Sequence, residues 1–175
     1  MSKVSAKLSV IKDCLDEYNC IPIKYITKDQ LRKNIVSCMT PIIVDGKYEP
    51  YVKIFDINTD CFYQIADKND PYGTECIMTM IRQKIDIPDD TEAIFYSVLC
   101  LLHEAGHYFD YMNDPNYYNA NYIDEEYCEN TPESAKAYRN RPLEKRADKY
   151  ALEHISTTII RLNERLFHGY LLNNS

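Results

Sequence analysis

The chain contains no tryptophan, only four glycines and only four histidines. Eight prolines and four glycines among 175 residues are too few for a low-complexity linker. No run of five like charges occurs, and the net charge is −7. Because non-specific binding to nucleic acid needs a basic surface, we expect no direct contact with DNA or RNA. The length fits a single domain, which we place at residues 1–175.

The sequence also lacks the signals of secretion and membrane insertion. Its first residues follow an amphipathic pattern rather than that of a signal peptide. The longest apolar stretch, residues 93–102, is about half as long as the roughly 20 residues that a membrane span needs. Seven cysteines, an odd number, include no Cys-x-x-Cys pair, so a disulfide framework is not expected. We therefore predict a cytoplasmic protein that does not bind membranes.

Hydrophobic periodicity predicts several helices. Apolar residues recur every three or four positions in residues 3–18, which predicts an N-terminal amphipathic helix. The same period predicts a buried helix over 91–112 and allows a short one over 29–39. Pro142 fits the first turn of a last long helix, over 142–167.

Other segments alternate with the period of a strand. Residues 21–27 and 75–87 are predicted strands on this pattern, and residues 41–55 are predicted to form two strands that a turn connects. Asp45-Gly46, between two apolar or aromatic runs, predicts a tight hairpin turn. Residues 113–131 show no clear period and are predicted to be a long surface loop.

The run His103-Glu104-Ala105-Gly106-His107 falls inside the predicted helix 91–112. Residues four apart share a helix face, so both imidazoles can bind one Zn²⁺, and Glu104 can take a proton from the bound water. With four histidines, a chance HExxH is roughly a half-per-cent event. A pair of surface histidines is the less favoured interpretation, because the helix is apolar around the motif. Gly106 costs ~1 kcal/mol relative to Ala, so we expect another helix or the metal close to it.

A catalytic zinc needs a third protein ligand. The metzincin pattern is excluded, because Asp110 and Asn113 stand where that pattern requires Gly and His. Glu144 on the last predicted helix is the favoured ligand. The alternatives that stay open are Asp148, Glu133 and Asp110.

Asp148 lies four residues after Glu144 and therefore on the same helix face. It would accept the free N–H of His103 or His107 and so fix the ring orientation. Ala147 and Ala151 line the neighbouring face and would let this helix approach the HEAGH helix closely.

Other polar residues are weaker candidates. His154 is interpreted as structural or exposed, and Cys100 and Cys128 as plain reduced thiols rather than zinc ligands. A tyrosine from residues 108–127, or Tyr150, could polarise the scissile carbonyl, but sixteen tyrosines leave that choice open.

These motifs resemble those of the ImmA/IrrE-type metallopeptidases. The resemblance rests on HEAGH after an apolar helix and on Glu144-x-x-Ala147-Asp148-x-Tyr150-Ala151, where members commonly show Glu-x-x-Ala-Asn/Asp-x-Phe-Ala. It implies an α+β, zincin-like fold with a small, mostly antiparallel sheet. The sheet would pack against the HExxH helix and a second ligand-bearing helix, with an N-terminal amphipathic helix. It also implies gluzincin-like Zn²⁺ binding by His103, His107 and Glu144, with Glu104 as general base.

The resemblance further implies a cytoplasmic protein substrate. In this family the substrate is typically a helix-turn-helix transcriptional repressor, and cleavage gives an anti-repressor role in phages and mobile elements. An edge strand within 75–87 would bind the substrate in extended form. The alternative functions are a non-cleaving zincin-scaffold protein that inhibits a regulator by association, and a metal-free structural protein. No oligomeric state is predicted.

Overall fold

The computed structural model of the protein describes residues 4–26, 37–44, 47–122, 131–169 and 171. These residues form an α+β structure that is mostly helical. The helices are α1 (Leu8–Asp13), a 3₁₀ helix (Asp16–Asn19), α2 (Thr59–Asn69), α3 (Pro71–Arg82), α4 (Glu92–Asn113), α5 (Pro115–Asn121), α6 (Pro132–Arg139) and α7 (Pro142–Arg165). The strands are β1 (Ile23–Ile26), β2 (Ser37–Val44) and β3 (Lys47–Phe55). None of the described helices is both long and apolar enough to cross a membrane.

The three strands form a mixed sheet in the order β1-β3-β2. β1 pairs with β3 in parallel, with Ile23 opposite Val52, whereas β2 pairs with β3 antiparallel, with Val44 opposite Lys47. The sheet is therefore not the mostly antiparallel one that was expected, since one of its two strand pairs is parallel. The antiparallel pair confirms the predicted hairpin, whose Asp45 and Gly46 lie outside the described residues.

The prediction of a strand over 75–87 is wrong. Residues 75–82 belong to α3, which buries Ile77, Met78 and Ile81 on one side. The Asp70 side chain accepts a hydrogen bond of 2.9 Å from the Gly73 N–H, and Pro71 takes the first helical position. Both features are typical of a helix start. The apolar run is short enough to fit the period of a helix as well as that of a strand, so the sequence pattern alone did not distinguish them. The segment thus has no edge strand with which to bind a substrate.

Three other predictions need correction at their boundaries. The N-terminal helix is shorter than residues 3–18, because α1 ends at Asp13 and a 3₁₀ helix follows. Residues 37–39 of the predicted helix 29–39 lie in β2, and residues 29–36 lie outside the described part. The predicted loop 113–131 contains α5, whose N-terminus is capped by Asp114.

The long helices α4 and α7 confirm the predictions for 91–112 and 142–167, and they pack against each other in the core. Ala147 and Ala151 of α7 are completely buried. A Cβ atom placed on Gly106 would lie 3.0 Å from Ala147 Cα and 3.1 Å from Tyr150 Cβ. The close approach of α7 therefore explains the mid-helix glycine of the HEAGH run.

Gly106→Ala is expected to destabilise the protein despite the better helix propensity of alanine. The added methyl would meet the α7 backbone, which cannot rotate away, and overpacking of this kind costs about 1–3 kcal/mol. The gain in propensity is at most ~1 kcal/mol. Urea unfolding of the metal-free protein measures the difference. A variant more stable than the parent would show that α4 and α7 separate at little cost.

Candidate metal centre

His103 and His107 stand one turn apart on α4, and both side chains are buried. Their Nε2 atoms are 3.0 Å apart, with the two rings perpendicular. Glu144, in the first turn of α7, completes the cluster: its Oε2 lies 3.2 Å from His103 Nε2 and its Oε1 lies 3.3 Å from His107 Nε2. The α4–α7 contact therefore brings together three residues that the sequence singled out.

These distances suit a shared divalent cation. Two ligands at Zn–N distances of ~2.0–2.1 Å and tetrahedral angles lie ~3.3 Å apart. The three separations of 3.0, 3.2 and 3.3 Å are close to that value on every side. Two imidazole nitrogens and a carboxylate form a donor set that zinc accepts. The residues present thus fit a site in which three protein ligands would hold a divalent metal ion.

Asp148 orients one of the two imidazoles. Its Oδ1 lies 2.8 Å from His103 Nδ1. A carboxylate can only accept here, so Nδ1–H donates, and Nε2 is the ring atom that faces His107 and Glu144. The sequence left open which histidine Asp148 would contact. The structure selects His103, since His107 Nδ1 has no hydrogen-bond partner among the described residues.

Arg139, the last residue of α6, is a member of the site that the sequence did not identify. Its Nη1 lies 3.1 Å from Asp148 Oδ1 and 3.6 Å from Glu144 Oε2. Burial opposes the charge of this guanidinium, but the two carboxylates raise the pKa of Arg139 above its ordinary value. No sequence signal links it to the cluster, because its position depends on the turn between α6 and α7.

Glu104 follows His103 in α4 and is buried. Its charge acts on two tyrosines near the cluster. Tyr118 of α5 is buried, and its ring lies perpendicular to that of His107, with 6.0 Å between the ring centres. Burial is the largest cause that raises the pKa of Tyr118 well above the ordinary range, and the charges of Glu104 and Glu144 raise it further. Burial and the charge of Glu144 likewise raise the pKa of Tyr138. Both phenols therefore stay protonated and can donate hydrogen bonds. Tyr118 lies in the predicted 108–127 range, whereas Tyr138 was missed.

The other candidate ligands lie outside the cluster. Asp110 forms an ion pair with Arg146, and Glu133 is exposed in the first turn of α6. Burial raises the pKa of the Cys100 thiol to about 12, so it stays protonated. His154 Nδ1 lies 2.8 Å from the Tyr150 carbonyl oxygen, a local contact within α7. Among the residues that the structure describes, the group that could hold a metal is thus His103, His107 and Glu144.

Without a metal, the two carboxylates hold a proton on His103. Burial lowers the pKa of His103, but the contacts with Asp148 and Glu144 outweigh burial and raise it to about 10. Burial likewise disfavours the charge on Glu144, yet its contacts with the two imidazoles hold its pKa well below the usual range. At neutral pH the centre is therefore an imidazolium between two carboxylates, and a metal ion must displace that proton.

Zinc binding at pH 7–8 is expected to release one proton from His103. The apparent affinity should then rise about tenfold per pH unit below the raised pKa. Calorimetric titrations in buffers of different ionisation enthalpy count the protons released. Asp148→Asn removes one of the two carboxylates, so the pKa of His103 and the proton count at pH 8 should both fall. A zinc affinity that does not change between pH 7 and pH 8 would contradict this account.

None of the protein-family models, curated proteins or solved structures compared with the chain matches it.

Proposed function

We propose that the protein is a Zn²⁺-dependent endopeptidase with a zincin-like fold. The observation that carries this proposal is the buried triangle of His103 Nε2, His107 Nε2 and the Glu144 carboxylate. The buried Glu104 follows the first of these ligands in α4. A purely structural cluster would not require a carboxylate between the two histidines of the HExxH run.

The residues of the candidate centre have four different roles in this proposal. His103, His107 and Glu144 would hold the ion, and Asp148 and Arg139 would hold His103 and Glu144 in place. A zinc ion held by these residues would supply Lewis acidity, which would make a nearby water more acidic and would polarise the substrate carbonyl. Glu104 takes a proton from the attacking water and delivers it to the leaving amine nitrogen as the peptide bond breaks. Tyr118, a protonated phenol beside His107, is the candidate donor to the carbonyl oxygen, whereas the side chain of Tyr138 is already hydrogen-bonded to Glu144.

The substrate in this proposal is a cytoplasmic protein, specifically a helix-turn-helix repressor whose cleavage releases transcription. The resemblance of HEAGH and Glu144-x-x-Ala147-Asp148 to ImmA/IrrE-type peptidases supports this choice. The mode of substrate binding needs an element other than α3, because residues 75–82 are helical.

The test couples metal content to cleavage. Protein purified without added zinc should contain about one zinc per chain. It should also cut a repressor encoded beside its gene, as followed by mass spectrometry. A chelator should stop cleavage, and zinc should restore it. One zinc per chain together with a tightly bound but intact repressor would instead support the alternative function, a binding protein that does not cleave. Purified protein without any metal would refute both the peptidase and this alternative.

A further inference from the structure

The surface between α3, α6 and α7 contains a groove of about 830 Å³. Its apolar lining comes mainly from α3, where Tyr72, Cys76 and Met80 recur every four residues, and α7 contributes Leu152. Tyr72 is 42% exposed. We refer to this surface as the α3–α7 groove. The α3 stripe spans two helical turns, or about 12 Å.

The charges that line the groove are unbalanced. Each acidic side chain lies within ion-pair distance of a basic one: Glu75 with Arg82 at 3.2 Å, Glu153 with Lys149 at 3.8 Å, and Asp148 with Arg139 at 3.1 Å. Lys84, Lys136 and Lys145 also line the groove and are exposed, but they form no ion pair with any residue that the structure describes. The rim is therefore positive on a chain whose net charge is −7.

The shape of the groove favours a helical occupant. Its lining residues lie on helices, apart from Lys84 and Asn140 in the turns that follow α3 and α6, and none lies on a strand. The groove therefore presents no strand edge to an extended peptide. A helix satisfies its own backbone groups and can place one apolar face in such a groove, with anchors one turn apart. Acidic residues beside that face would meet the unpaired lysines of the rim.

We propose that the α3–α7 groove binds an amphipathic α-helix with acidic flanks, supplied by a partner protein. The apolar face of the helix would cover Tyr72, Met80 and Leu152, and its acidic flanks would pair with Lys84, Lys136 and Lys145. This proposal does not depend on peptidase activity. Arg139 and Asp148 border the groove and also belong to the metal centre, so the test leaves them unchanged.

The test begins with a displayed library of helical peptides selected on the full chain. The enriched peptides should combine apolar residues at i and i+4 with Asp or Glu on their flanks, and should gain helical circular dichroism on binding. Fluorescence anisotropy then measures the affinity of one labelled peptide for the parent protein, for two groove variants and for a control variant. Lys84→Glu/Lys136→Glu/Lys145→Glu should weaken binding at least about tenfold, because it replaces attraction by repulsion. Tyr72→Ala, at an exposed position, should weaken binding severalfold.

The matched control is Lys7→Glu/Lys24→Glu/Lys68→Glu, which makes the same charge change at exposed lysines outside the groove. Its affinity for the peptide should stay within about threefold of the parent's, since none of these three lysines lines the groove and a charge that makes no contact with the peptide is screened at physiological salt. Equal losses in the two triple variants, or enriched peptides without acidic flanks or helix formation, would overturn the proposal. Self-association of the chain that the groove variant abolishes would identify a second copy as the occupant and would also overturn it.

Discussion

Glu104→Gln is expected to keep the zinc and to lower the cleavage rate by about 10²–10⁴-fold. Glutamine has the same shape as glutamate, and residue 104 is not one of the three residues whose donor atoms converge. The amide cannot accept a proton from water, however, and general acid–base catalysis contributes roughly 10²–10⁴-fold. The rate falls through kcat rather than KM, because proton transfer occurs in the transition state.

Two further variants make this result specific. Glu164→Gln changes an exposed carboxylate of α7 in the same way and should keep both zinc and activity. Glu144→Gln should lose zinc and activity together, because residue 144 is a proposed ligand. Zinc content by atomic absorption and cleavage of the same repressor separate the three variants. Undiminished cleavage by Glu104→Gln would show that Glu104 is not the general base. If the parent protein inhibits the repressor fully without cleaving it, the alternative function, a binding protein that does not cleave, would be favoured.

The candidate metal centre could be predicted wherever local helix geometry determined the positions of its residues. His103 and His107 share a face because α4 is a long helix with a clear apolar period. Glu144 and Asp148 share a face of α7 for the same reason. The sequence could also predict that α4 and α7 approach closely, since Gly106 and Ala147 leave room at the same contact. Two periodic helices and one contact between small residues were therefore enough to predict that His103, His107 and Glu144 lie together.

The parts that could not be predicted depend on contacts between distant segments or on ambiguous periods. Arg139 reaches Asp148 through the turn between α6 and α7, whose direction no local pattern encodes. Residues 75–87 alternate like a strand, yet Ile77 and Ile81 are also four apart, and burial against the neighbouring helices selected the helix. The parallel pairing of β1 with β3 depends likewise on a connection between distant strands.

Charge balance explains why Arg139 belongs to the centre. Glu104, Glu144 and Asp148 are three buried acidic residues on α4 and α7, the two helices that form the candidate centre. Burying that much negative charge without compensation would be costly. Arg139 compensates part of it whether or not a metal is bound, and the proton on His103 compensates more when the metal is absent. The centre is therefore compatible with folding before the metal arrives.

Zinc should nevertheless stabilise the folded protein strongly. A ligand that binds only the native state at a free concentration 1,000 times its Kd adds about 4 kcal/mol. For a chain of this size, each kcal/mol raises Tm by about 2–4 °C, so the expected increase is about 8–16 °C. Differential scanning calorimetry with buffered zinc and with chelator measures it. Glu144→Gln should remove the increase while its metal-free form still unfolds cooperatively, because Arg139 and Asp148 still hold His103 in place. An equal increase in Tm for Glu144→Gln would show that zinc binds elsewhere, and the proposed ligand set would then be wrong.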